Sequence, residues 1–184
     1  MLTIDDQHQY FWEGARVPGT TEVCAVLAPR WNVGEYYLNK GGIIHLITDY
    51  EDHKELLEES VDPLLAGYLA GYRNFKAVTG FKVHKTELQF YNRKYAYAGR
   101  VDKYGELFNY MGVLDVKSGA PHEADTYQAP AYLFGLKDNK IPCWRAWDLY
   151  LRSNGTYRLE EVKNATHRFM EFLGGIKLWQ QNQK

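Results

Sequence analysis

Apolar and polar positions change rhythm along the chain and divide it into a helical half and a strand-rich half. Tyr10–Trp12 reads as a short strand and Glu13-Gly14 as its turn. Val17-Pro18-Gly19-Thr20-Thr21 is a second turn that caps a short helix from about Glu22. From about Val33 to Tyr50, Tyr37, Ile44 and Ile47 recur with helical spacing. Gly41-Gly42 falls inside that helix. Each glycine there costs about 1 kcal/mol relative to alanine, which points to a close backbone approach. A second helix is predicted from Asp52 to about Val78, on Leu56, Leu57, Leu64, Leu65, Tyr68, Leu69, Tyr72 and Phe75, with Pro63 kinking or splitting it.

After Thr79-Gly80 the period falls to two. Residues 82–91 place Val83, Lys85, Glu87, Gln89 and Tyr91 on one side, with His84, Leu88 and Phe90 mostly on the other. Residues 95–103 and 110–117 follow as strands joined by a hairpin loop over 105–109. A helix over about 126–136 precedes strands near 144–152 and 156–162, which flank the hairpin dipeptide Asn154-Gly155. A helix from about Asn164 to Gln180 closes the chain. Helices, then a sheet, then helices predict an α/β (α+β) fold, a central mixed β-sheet flanked by helices in one domain spanning 1–184.

Composition narrows this only slightly. At 184 residues, 45 % hydrophobic and 24 % charged, the chain is ordinary for a globular domain with one core. Fifteen Tyr and five Trp supply either stacking surfaces or a tyrosine-rich core and rim. A net charge of −1 gives no whole-molecule field for a polyanion. Carboxylates awaiting a cation lower that sum, so a nucleic-acid substrate is not excluded. Cys24 and Cys143 lie far apart and match no zinc, iron–sulfur or CxxC pattern, so free thiols and a cytoplasmic location are expected. Signal-peptide and membrane-span patterns are absent, as is a GxxxxGK[ST] phosphate loop.

The chemistry concentrates in Gly99-Arg100-Val101-Asp102 and Leu114-Asp115-Val116-Lys117-Ser118-Gly119. Asp115 and Lys117 leave one face of a strand, while Leu114 and Val116 point to the core. Neither Asp115 nor Lys117 is therefore expected to be buried. Phosphodiester hydrolysis needs an activated water, a positioned phosphate and charge relief on the leaving oxygen, all of which Mg²⁺ or Mn²⁺ on oxygen ligands can supply. Asp102 and Asp115 suit paired metal carboxylates, and Lys117 suits orienting the water or stabilising phosphorane charge. Singly, each residue has a plainer reading: Asp115 and Lys117 as a solvated pair, Glu87 as an exposed strand residue, His45 as a satisfied core histidine, Gln128 and Tyr132 as helix surface and core.

In their order these elements resemble the PD-(D/E)xK nuclease superfamily and its RecB-like and phage-exonuclease branch, over about residues 10–132. Gly41-Gly42-Ile43-Ile44-His45 resembles that branch's glycine-led helix ending in a metal-binding histidine, and Glu87 its acid on the first core strand. Gly99-Arg100-Val101-Asp102 resembles the Gly-x-x-Asp strand, Leu114–Gly119 the acid-x-Lys strand, and Gln128-Ala-Pro-Ala-Tyr132 the Gln-x-x-x-Tyr helix. The opening residues 10–21 resemble the N-terminal hairpin of phage members.

The resemblance implies a restriction-endonuclease-like core and a DNA exonuclease of phage or prophage recombination or DNA processing using one or two Mg²⁺ or Mn²⁺ ions. Its metal ligands would be His45, Asp102, Asp115 and the Val116 carbonyl, and its catalytic lysine Lys117. Gln128 and Tyr132 would position that lysine or touch the DNA backbone, and Glu87 would support a second metal or the hydrogen bonds of the site. DNA is the implied substrate, a single-strand annealing or recombination protein the implied partner, and ring-forming relatives imply a homo-oligomer. Pro130 departs from the pattern and requires the helix to begin near Thr126, so that proline falls in its first turn. An endonuclease or nickase on the same scaffold, a non-catalytic DNA-binding module and a plain α/β domain are the competing readings.

Overall fold

The computed structural model describes residues 1–29 and 34–183. Val33, where the first long helix was expected to start, lies outside the described residues, as does the side chain of Tyr37. Three short strands open the chain: β1 (Leu2–Ile4), β2 (Tyr10–Trp12) and β3 (Ala15–Val17), paired antiparallel in that order. Glu13 and Gly14 both have positive φ (50° and 84°), which matches the twist of a tight hairpin. Trp12 stacks on Tyr91 at 4.4 Å, so this small sheet lies against the main one.

The main sheet has five strands in the order β4 (Lys82–Asn92), β5 (Tyr97–Leu107), β6 (Tyr110–Lys117), β7 (Arg145–Leu151), β8 (Tyr157–Glu161). All neighbours are antiparallel except β6 and β7, which are parallel. The sheet is therefore mixed, as the pattern predicted. The β5–β6 turn is tighter than the 105–109 loop expected, because strand pairing continues through Leu107↔Tyr110. Only Phe108-Asn109 turns, both at positive φ (51° and 64°). Gly155, at φ 82°, turns β7 into β8 where the sequence placed a hairpin.

Helices cover both faces. On one side α1 (Thr20–Leu27), α4 (Asp125–Asp138) and α5 (Ala165–Asn182) share a core with Val101, Tyr104 and Val113. On the other, α2 (Glu35–His53) and α3 (Ala66–Thr79) bury Ile44, Ile47, Tyr72 and Phe75 against Leu114, Val116, Trp147 and Leu149. The helix expected over 52–78 is shorter. The helix before it runs to His53, Lys54 ends it in a left-handed conformation (φ 60°), and 54–65 hold only a 3₁₀ turn at Glu58–Ser60. Asp62-Pro63 keeps that stretch from resuming a helix until Ala66.

α4 begins at Asp125, so Pro130 is its sixth residue and falls in the second turn, not the first. The proline costs roughly 3 kcal/mol there. Burial of Tyr132, Leu133 and Leu136 on the same helix, at about 1.5–3 kcal/mol for a large apolar side chain, outweighs it.

Two glycines make helix docking possible. A Cβ on Gly99 would lie 2.6 Å from Thr20 Oγ1 and 2.8 Å from the Phe90 ring. Without it, the start of α1 reaches β5, and the Thr20 hydroxyl donates to the Ala98 carbonyl at 2.9 Å. On the other face, a Cβ on Gly67 would lie 1.7 Å from the Ser153 carbonyl, so α3 packs directly on the β7–β8 turn. Gly41 and Gly42 do not mark the close approach expected of them. A Cβ on Gly41 would meet only Ser118 Oγ at 3.7 Å, and one on Gly42 nothing within 4 Å.

Candidate active site

A cleft of ≈ 810 Å³ opens between α1, α2, β4, β5 and α4, with Gly42, His45, Glu87, Arg100, Asp102 and Gln128 on its walls. Gly42 borders open space because it borders this cleft. β5 presents Asp102 and Arg100 two residues apart, and Glu87 comes from the neighbouring strand β4. Glu87 has φ 48°, a left-handed backbone in mid-strand that a glutamate adopts at a cost of order 1–3 kcal/mol. Its carboxylate binds Arg100 Nε at 2.7 Å. His45 reaches in from α2, with Nδ1 3.4 Å from Asp102 Oδ2.

One ligand atom each from His45, Glu87 and Asp102 lies within 4.8 Å of the others. Burial lowers the His45 pKa and favours the neutral imidazole that metals bind, although the Asp115 charge pulls the other way. Asp102 Oδ2 accepts a hydrogen bond from the Val116 N–H at 2.8 Å, while the Val116 side chain sits in the α2/α3 core. That bond favours the charged carboxylate, but burial is the larger effect and raises the Asp102 pKa.

Behind this group stand Asp115 and Lys117, both on the α4 face of β6. They are not solvated as expected. Asp115 is 1 % exposed, and the Lys117 side chain 14 %. The strand alternation gave their common face correctly, but α4 covers that face. Lys117 Nζ lies 2.6 Å from Asp115 Oδ2 and donates to Gln128 Oε1 at 2.8 Å. Gln128 Nε2 in turn donates to the Tyr132 hydroxyl at 2.9 Å. Thus α4 carries a relay from Tyr132 through Gln128 to the lysine, four residues apart on one helix face.

No protein-family model matches this chain. No curated protein matches it either. Among solved structures it is similar to LHK-Exo in complex with dAMP, at 11 % identity over 90 % of this chain and 87 % of that one, with a TM-score of 0.49. It is also similar to the alkaline exonuclease LHK-Exo from Laribacter hongkongensis, at 9 % identity over 89 % and 91 % of the two chains, with a TM-score of 0.44.

Two acids that the sequence reading passed over complete the surroundings. Asp125, the first residue of α4, lies 3.6 Å from Lys117 Nζ and is itself held by the His122 N–H at 2.9 Å and the Tyr150 hydroxyl at 3.4 Å. It stands one helical turn before Gln128, and that spacing was the available signal. Asp148 on β7 pairs in register with Asp115 and is 5 % exposed. A lone acid inside the apolar run Trp147-Asp148-Leu149 was its signal.

Burial raises the Asp148 carboxyl to about 8, and the charge of Asp115 adds to the shift. Burial raises Asp115 to about 8 as well, against the pull of Lys117. Desolvation opposes the charge on Lys117, but Asp115, Asp125 and Asp102 together push its pKa above the usual lysine range.

The residues fit a divalent cation. Both oxygens of Asp115 are buried, and the Lys117 ammonium, 2.6 Å from Oδ2, is their countercharge. Among the described residues Oδ1 faces no such cation, and a buried carboxylate oxygen left in this way is costly unless something else binds it. One imidazole and several carboxylates form a hard, oxygen-rich donor set suited to Mg²⁺ or Mn²⁺. Among the described residues no helix is long and apolar enough to cross a membrane, and both cysteines are buried thiols.

Proposed function

We propose that this chain is a single nuclease domain of PD-(D/E)xK type, a Mg²⁺- or Mn²⁺-dependent deoxyribonuclease that works as an exonuclease in phage or prophage recombination or DNA processing. The observation that carries this reading is the convergence of His45, Glu87 and Asp102 on one point of a cleft, backed by buried Asp115 and Lys117. His45, Asp102, Asp115 and the Val116 carbonyl would hold the ion, and Glu87 joins them from β4. When bound, the ion supplies an activated water and charge relief on the phosphate.

The protein's own groups do the rest. Lys117 keeps its proton in this acidic setting, so its ammonium stabilises charge growing on the phosphorane. Gln128 and Tyr132 fix the direction of that ammonium. Arg100 holds Glu87 in place from the cleft wall.

Digestion of linear and closed circular duplex, each with Mg²⁺, Mn²⁺ or EDTA, tests the reading. Linear DNA is expected to shorten from its ends only with metal, while the circle stays intact. Nicking of the circle would turn the assignment to an endonuclease. DNA binding without cutting of either form would turn it to a non-catalytic module.

A further inference from the structure

The wall of the cleft carries Glu22, Asp49, Glu87 and Asp102 against one fixed cation, Arg100. A neighbouring groove of ≈ 480 Å³ has the opposite character. It begins at Ser118 and Gly119, directly beyond Lys117, and continues over Arg152, Ser153 and Asn154 at the β7–β8 turn to Arg158 on β8. Among the described residues no carboxylate lines it.

Its charged groups are cationic. Arg152 is exposed and forms no ion pair among the described residues. The Arg158 guanidinium lies over the Tyr150 ring at 4.9 Å, with its Nε 3.2 Å from Glu160 outside the groove. Asn154 Oδ1 is taken by the Thr156 N–H at 3.2 Å and the Thr156 hydroxyl at 2.7 Å, which leaves the amide NH₂ to face a ligand. At the rim, Lys40 Nζ donates to the Tyr68 hydroxyl at 3.3 Å. Two guanidinium groups and an amide NH₂, with no carboxylate among the described lining residues, suit an anion.

The position of the groove indicates which anion. Ser118 follows the lysine of the candidate active site in the chain, and its Oγ lies 3.7 Å from where a Cβ on Gly41 would be, next to the cleft residue Gly42, so the groove adjoins the cleft. A nucleic-acid strand carries one phosphate every ~3.4 Å of helix axis. We propose that this groove binds backbone phosphates of the DNA strand whose scissile phosphate lies in the cleft, an inference that rests on the nuclease reading. Phosphate contacts position a strand without reading its sequence. The groove therefore sets register and affinity and leaves the chemical step to the cleft.

Arg152→Gln and Arg158→Gln test this, with Arg152→Lys as rescue and Lys177→Gln on α5 as a control for general charge loss. Three measurements are made: KM and kcat for cleavage of a linear duplex with Mg²⁺, binding of a short labelled duplex in EDTA across a salt series, and binding of inorganic phosphate. Each glutamine variant is expected to raise Kd and KM by about threefold to tenfold with kcat within about twofold, and to lower the slope of log K against log salt by roughly 0.7–0.9. Arg152→Lys is expected to recover most of the slope, and Lys177→Gln to leave it as it was.

Unchanged Kd and slope in both glutamine variants would overturn the proposal, as would an equal loss in Lys177→Gln. So would weaker binding of inorganic phosphate with DNA binding intact, since the groove would then be a free-anion site. Arginine-dependent DNA binding by a protein that cuts nothing would keep the groove and remove the nuclease reading. Cutting indifferent to both arginines would do the reverse.

Discussion

Lys117 has three oxygen groups around its ammonium: Asp115 at 2.6 Å, Gln128 at 2.8 Å and, as a longer ion pair, Asp125 at 3.6 Å. Its orientation is fixed from three sides before any substrate arrives. Lys117→Ala is expected to abolish cleavage in a single-turnover assay. It also leaves buried carboxylates without their cation, which costs about 3–5 kcal/mol by urea denaturation. Asp125→Asn keeps the shape but weakens the hold, so kcat is expected to fall roughly 10–100-fold with KM little changed. A rise in KM at constant kcat would place Asp125 in substrate binding instead. The face shared by Asp115 and Lys117 was legible because a strand alternates side chains whatever packs on it. Their burial was not legible, because the helix that covers them comes later in the chain and the alternation cannot show it. The left-handed backbone at Glu87 was equally hidden, since glutamate gives no sign of positive φ in a sequence.

At the level of elements, the strands and hairpins of the main sheet were read most closely, while β1 was not read at all. The glycines of Asn154-Gly155 and Glu13-Gly14 carry the turn geometry, Gly155 at φ 82° and Gly14 at φ 84°. The helices were read less well where tertiary packing overrides local preference. Leu56 and Leu57 looked helical by spacing, yet they fall in the irregular stretch between the helices, where Leu56 packs on the α2/α3 core and Leu57 is exposed. Pro130 looked confined to a first turn, yet a buried helix tolerates it in the second. Gly67 shows such an override as a contact, for α3 meets the Ser153 carbonyl there. Gly67→Ala is expected to destabilise the protein by about 1–3 kcal/mol in urea, although alanine favours a helix. If instead the variant gained the ~1 kcal/mol expected of an unhindered helical site, the packing of α3 on the β7–β8 turn would be wrong.

For the whole molecule, burying Asp115 beside Asp148 couples stability to pH and to metal. Both carboxyls titrate near about 8 in the fold, well above their unfolded value near ~4. Between those values the folded chain binds more protons than the unfolded one, so stability falls as pH rises. Without metal, Tm is therefore expected to decline across that window, and Mg²⁺ or Mn²⁺ to raise Tm more at its alkaline end. Asp148→Asn is expected to flatten the decline. A Tm that climbs with pH in EDTA would contradict the burial of these acids.

One strand and one helix extend this coupling to local motion. Adjacent residues of β5 hold α2 at two places: Asp102 meets His45, while Lys103 meets Asp52 at 3.0 Å and Asp49 at 3.6 Å. The second contact also includes Lys76 from α3, 2.6 Å from Asp52, and borders the cleft only through Asp49. A cation drawn to His45 would tighten the first fastening and leave the second as it is. Amide hydrogen exchange on adding Mg²⁺ is therefore expected to slow in the turn around His45 while the turn at Asp52 keeps its metal-free rate. The helix would be read by exchange as two segments, a ligand-sensitive one and a permanent one, within a single run of hydrogen bonds.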